Sequence, residues 1–143
     1  MELNSNDFEH NGDMPSELTC DGQDIPPQLA WSEPPEGTKS YALSCIDPDA
    51  PMGDFVHWLV CNIPANVTEL QKGQDFPGTE IPNDFGKPSY GGPCPPSGKH
   101  RYVFVVYALN TEKVGKMTRD NFLQKVKEHT IGSASLIGLY SRE

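Results

Sequence analysis

Two carboxylates, two imidazoles and a phenol fall in two short stretches of this 143-residue chain. Asp47 and Asp49 belong to Asp47-Pro-Asp-Ala-Pro51, a proline-stiffened loop, and His57 follows in Phe55-Val-His-Trp58. His100 and Tyr102 lie in Gly98-Lys-His-Arg-Tyr102. If the two stretches meet, their chemistry is that of anion recognition. Aspartates that accept from imidazole N–H groups fix the rings and raise their pKa values, so that His57 and His100 present donors to an anion. The Tyr102 hydroxyl would add a donor, and backbone N–H groups of the Gly91–Cys94 loop would add to the cradle. A spare aspartate oxygen would accept from an ammonium group, which suits a zwitterionic phosphoamine.

Each piece also has a plain reading. Asp-Pro-Asp alone is a turn, a single His57 in an apolar strand is a satisfied core histidine, and Arg101 is a surface ion-pair partner. Enzyme readings stay open as well. His57 with Asp47 could serve a metal-free phosphatase or acid–base enzyme, and Cys94 near His100 could form a thiol–imidazole pair, although no oxyanion element is identifiable. Aspartate and histidine also ligate metals, but the chain contains no HExxH or HxH spacing, so neither a metal nor another cofactor is expected.

Positioning these groups is the work of strands. Ser40–Asp47 alternates, with Tyr41, Leu43 and Cys45 on one face and Asp47 as its last residue; Phe55–Ile63 is a second strand, with Phe55, His57, Leu59 and Cys61 on one face. Arg101–Leu109 is a third, carrying Tyr102, Phe104 and Val106 on the face of His100. If all three run antiparallel, Asp47, His57, His100 and Tyr102 reach one rim. The breaker-rich segment 86–98 would roof it. Before these strands, residues 1–37 read as short strands joined by turns. Afterwards Thr118 is expected to cap a helix over 119–129, and Ile131–Tyr140 reads as a closing strand.

Composition agrees with a loop-rich β protein, since Pro 14 and Gly 13 are more breakers than a helical bundle tolerates. The length suits a single domain over residues 1–143. A net charge of −9 argues against nucleic acid as the partner. Residues 1–90 hold 16 acids and 3 bases while residues 91–143 hold 4 and 8, which is expected of interleaved halves of one fold. Cys20, Cys45, Cys61 and Cys94 lack CxxC spacing and are read as small buried hydrophobes in a reducing compartment. Without a leader-like N-terminus or an 18-residue apolar run, the expectation is a cytoplasmic protein with no stable membrane insertion.

Taken jointly, Asp47-Pro-Asp-Ala-Pro51, His57-Trp58 and Tyr90-Gly-Gly-Pro-Cys-Pro-Pro-Ser-Gly-Lys-His-Arg-Tyr102, with the upstream Thr19–Trp31 segment, resemble the phosphatidylethanolamine-binding protein family. That family includes the Raf kinase inhibitor proteins of animals and small prokaryotic relatives, and the upstream segment is similar to the prokaryotic branch. The resemblance implies a mainly β fold: a Greek-key β-sandwich of two antiparallel sheets with one or two short helices. It also implies a ligand pocket at Asp47, Asp49, His57, His100 and Tyr102, with Cys94 and Pro95 in the roof, and Tyr140 corresponds loosely to a further pocket tyrosine. The implied ligand is a phosphate-containing small molecule or phospholipid head group, the implied partners a modulated protein and a second copy in a homodimer. Pro26 departs from the serine that relatives often carry, and the chain is shorter than the animal members.

Overall fold

Alternating apolar residues and closely spaced breakers dictate short elements joined by turns. In a computed structural model describing residues 1–142, these are β1 (Glu2–Asn4), β2 (Gly12–Asp13), a 3-10 turn (Ser16–Leu18), β3 (Leu29–Ser32), β4 (Ser40–Asp47) and β5 (Phe55–Pro64). They continue with β6 (Glu69–Leu70), β7 (Thr79–Ile81), β8 (Gly98–Leu109), α1 (Phe122–Lys127) and β9 (Thr130–Arg142). The fold is mainly β, in two sheets with one short α-helix.

The larger sheet has the order β2-β9-β8-β4-β5-β7 and the smaller one β1-β3-β6. Strands β4, β5 and β7 are successive neighbours, and β8 returns to lie beside β4, which is the Greek-key order. Every pairing is antiparallel, as expected of the two sheets, apart from the two-residue edge strand β2, which runs parallel to β9. The reason is local: residues 10–14 run alongside β9 as a strap, with Asn11 N–H donating to Ile137 O at 2.7 Å and Met14 N–H to Leu139 O at 2.7 Å.

Two apolar layers flank the large sheet. Tyr41, Leu43 and Cys45 of β4 join Tyr102, Phe104 and Val106 of β8 in the inner core against the small sheet, with Trp31 and Leu3. On the outer side Ala42, Val56, Leu59 and Cys61 are covered by Val114, Met117, Phe122 and Val126. Both faces of β5 are therefore buried, as its sequence requires.

The expected grouping of Phe55, His57, Leu59 and Cys61 on one face does not hold. The β4–β5 register passes from Cys45↔Trp58 to Ile46↔Val56, leaving His57 as an extra residue in a bulge. A bulge breaks the two-residue alternation and re-aims the side chain at its centre. His57 and Trp58 consequently both point inward, while Leu59 and Cys61 face outward.

The helix is shorter than the 119–129 expected, and Asn121 rather than Thr118 stands at its N-cap position. Arg119 is drawn to Asp84, with guanidinium contacts of 2.8 and 3.2 Å, and the Thr118 N–H donates to Asn121 Oδ1 at 2.8 Å, so residues 118–121 form a turn instead of a first helical turn.

The cysteines divide. Cys45 and Cys61 are free and buried, as expected, and burial raises both thiol pKa values. Cys20 and Cys94 instead form a disulfide across 74 residues of sequence, which corrects their reading as buried thiols. Both lie at the surface, where the turn after Ser16–Leu18 meets the segment before β8.

Candidate functional site

The end of β4 lies beside the start of β8, because Ile46 pairs with Val103 and the ladder runs antiparallel. Asp47 and His100 therefore arrive at the same rim. His100 Nδ1 lies 2.6 Å from Asp47 Oδ2, and the two side chains are 9% and 4% exposed. The other Asp47 oxygen accepts the Asp49 N–H at 2.7 Å, so each carboxylate oxygen is held, one by His100 and one by the loop that Asp47 begins. Held in this way, the carboxylate fixes the His100 ring, leaves Nε2 for the cavity, and keeps its negative charge at the cavity wall.

His57 is held differently. Its Nδ1 lies 2.7 Å from the Gly91 carbonyl oxygen, so Nδ1 carries the proton and Nε2 is left over. The expectation that an aspartate would raise its pKa is overturned: burial pushes the His57 pKa down, against the opposing pull of the Gly91 carbonyl and Asp47. The ring stacks edge-on against Tyr102, centroids 5.2 Å apart, and against Phe85 at 5.5 Å. The Tyr102 hydroxyl is buried without a hydrogen-bond partner, and burial raises its pKa, with the Asp47 charge adding to the shift.

Asp47, His57, Cys94, Pro95, His100 and Tyr102 line one cavity of about 270 Å³. Asp49 does not. It points away from the cavity and binds Arg101 through both carboxylate oxygens, at 2.8 and 2.9 Å, which holds its carboxyl down to about 2. Arg101, the neighbour of His100 in the chain, alternates to the opposite side of β8 and takes Asp49 with it. The Cys94 sulfur is committed to the disulfide, so the thiol–imidazole pair that the sequence allows does not exist in this state.

The glycine-rich loop also has another role than the anion cradle expected of it. Gly91 N–H donates to His57 O at 3.0 Å and Gly92 N–H to Asp24 Oδ1 at 2.7 Å, so both point into the protein. Their glycines answer to packing: a Cβ on Gly91 would strike the Phe85 ring, and one on Gly92 the Leu18 carbonyl. Tyr140 does not line the cavity either, and its hydroxyl donates to Asp21 at 2.5 Å.

Sequence reasoning missed Phe55, Phe85 and Pro51 in the cavity wall, and Asn83 behind it. Buried Asn83 donates from Nδ2 to His57 O and Ser89 O at 2.9 and 2.8 Å. Its Oδ1 accepts the N–H groups of Phe85 and Lys87, so one side chain shapes the turn that carries Phe85. The signal was an Asn-Asp-Phe-Gly turn, which by itself says only that the chain bends.

The result is a mostly aromatic and proline-lined cavity with two imidazoles, one buried carboxylate and one orphan hydroxyl. Among the described residues, no lysine or arginine lines it, and no three His, Cys, Asp or Glu side chains converge as metal ligands. Any charge on an anion there must be met by imidazolium, by hydroxyl or by its own counter-charge.

Known proteins share this architecture. A sequence profile described as phosphatidylethanolamine-binding protein matches residues 4–141. The UPF0098 protein of Aquifex aeolicus (strain VF5) is 43% identical, over 100% of this chain and 90% of its own. YbhB of Escherichia coli (strain K12) is 37% identical, over 99% of this chain and 100% of its own. The crystal structure of CT736 from Chlamydia trachomatis, a homolog of the same kind, superposes with a TM-score of 0.93 at 33% identity, covering 99% of this chain and 97% of that one. The structure of E. coli YbcL gives 0.93 at 34% identity, covering 99% and 98%.

Proposed function

Because the chain belongs to the phosphatidylethanolamine-binding protein family, we propose that it is a binding protein whose cavity takes a phosphate-bearing head group, phosphoethanolamine or its phospholipid parent, and whose occupancy modulates a protein partner. The observation that carries this reading is the Tyr102 hydroxyl, buried in the cavity wall with no partner beside two imidazoles whose Nδ1 atoms are already engaged. An unpaired buried hydroxyl costs about 1–3 kcal/mol, which a ligand oxygen would recover. Protonated His57 supplies the positive charge that the wall lacks, and the ammonium of a phosphoamine balances Asp47 without a lysine or arginine.

The sign of the pH dependence follows from burial. Burial puts the protonation of His57 below the pH of about 6.5 at which an ordinary imidazole titrates, so anion affinity rises as pH falls through its lowered pKa. Calorimetry with phosphoethanolamine between pH 5 and 8 is expected to give the tightest binding at the acid end, and Tyr102→Phe is expected to weaken it about tenfold, the worth of one hydrogen bond to a charged group. Flat affinity across that range, or no effect of Tyr102→Phe, removes this reading.

The buried Asp47–His100 pair supports a second reading, in which His100 is a general base in a small phosphoester hydrolase. The two separate on His100→Ala: binding lost with no turnover to lose belongs to the first, loss of measurable phosphoester turnover to the second. The homodimer expected from the resemblance would use the outer side of β8 and β9, where Val103, Val105, Ile137 and Leu139 are only half-buried, and sedimentation measures it directly.

A further inference from the structure

We propose that the Cys20–Cys94 disulfide is a redox latch on this cavity: reduced by a dithiol, it loosens the wall segment 91–96 and with it the carbonyl that fixes His57. Three observations meet here. Cys94 and Pro95 are cavity wall, and Gly91, three residues earlier, supplies the 2.7 Å contact to His57 Nδ1. Both cysteines are exposed, so an external thiolate can reach the bond. Arg142 places a guanidinium nitrogen 3.5 Å from Cys94 Sγ and 4.0 Å from Cys20 Sγ, and its charge is anchored by Asp21 at 3.2 Å.

The cation decides the direction of attack. One thiolate of the dithiol attacks Cys20 Sγ and forms a mixed disulfide, while the electron pair of the broken bond leaves on Cys94 as a thiolate beside Arg142. The second thiol of the reductant then displaces Cys20 as a thiolate, which takes up a proton from water. The reductant leaves as its cyclic disulfide, two electrons poorer. Two hydrogen bonds remain across the same seam, Cys20 N–H to Pro93 O at 3.1 Å and Gly92 N–H to Asp24 Oδ1 at 2.7 Å. Reduction therefore changes how often the wall opens, and the opening frees His57 to turn.

The latch acts on the cavity assigned above to a head group, but its test does not depend on that ligand. Amide exchange and His57 imidazole nitrogen resonances are compared in native protein before and after dithiothreitol. Exchange over 91–98 is expected to rise about tenfold with the β4–β8 amides unchanged, the His57 Nδ1 resonance to shift, and both to return on reoxidation. Cys94→Ser should show the reduced behaviour under either condition, and Arg142→Gln should slow reduction severalfold. Loop exchange and His57 resonances that ignore reduction overturn the latch, whatever phosphoethanolamine does. If both respond but phosphoethanolamine binds neither form, the latch stands and the head-group reading falls.

Discussion

The cavity has two halves that are built in opposite ways. The rim half, Asp47, His100 and Tyr102, is set by the register of β4 against β8, a seven-residue antiparallel ladder that fixes side-chain direction at every step. The loop half, His57's carbonyl partner, Phe85 and Cys94, rests on a few single ties: the disulfide and the Gly92–Asp24 bond between segments far apart in sequence, and the four bonds of Asn83, one reaching back to His57 and three within its own turn. A ladder distributes its specification over many bonds; a tied loop concentrates it in single contacts. Substitutions should therefore perturb the loop half's geometry more than the rim's.

The largest effect is expected from Cys20→Ser with Cys94→Ser. Closing a loop of this length removes about 4 kcal/mol of unfolded-state entropy, so denaturant unfolding should show a loss of that order. Asp47→Ala strikes the rim instead and leaves His100 buried without its partner, at a cost of about 3 kcal/mol by the same measurement. The comparison is broken if the Asp47 variant also raises amide exchange across the loop, because the halves would then be one unit. Gly92→Ala pushes a methyl at the Leu18 carbonyl and should cost about 2 kcal/mol, with the chemical-shift changes confined to the turn after Leu18 and the loop. Asp49→Asn is the smallest: its partner Arg101 is more than half exposed, so the change in stability should stay below about 0.5 kcal/mol. A shift in phosphoethanolamine affinity at Asp49→Asn would restore Asp49 to the pocket, against its orientation.

This division also explains what the sequence disclosed. Alternation in Ser40–Asp47 and from His100 onward identifies two strands and the inward face of each, and antiparallel pairing then forces Asp47 toward His100 without further information. His57 was placed at the right rim for an incomplete reason. Its side chain points inward only because a bulge adds one residue to β5, and periodicity alone assigned it to a face it shares with Leu59 and Cys61. The disulfide was invisible because nothing in the spacing of Cys20 and Cys94 distinguishes them from Cys45 and Cys61. Asp49 was misplaced for a simpler cause. Proximity in sequence to Asp47 says nothing of direction once the strand has ended, and Arg101 was an available partner on the outer side.

The long return from β5 to β8 bears on how the protein is made. Strand β4 cannot complete its ladder until residues 103–109 exist to pair with it, although Ser40–Ile46 is formed from the first third of the chain. Contacts between residues so distant in sequence slow folding and leave the earlier partner unpaired meanwhile. A chain emerging from the ribosome thus presents Tyr41–Cys45 as an apolar strand edge, open to misplaced pairing, through roughly sixty residues of further synthesis, several seconds at ordinary elongation rates. The binding site shares that schedule: Asp47 waits for His100, and the cavity is among the last features to become native.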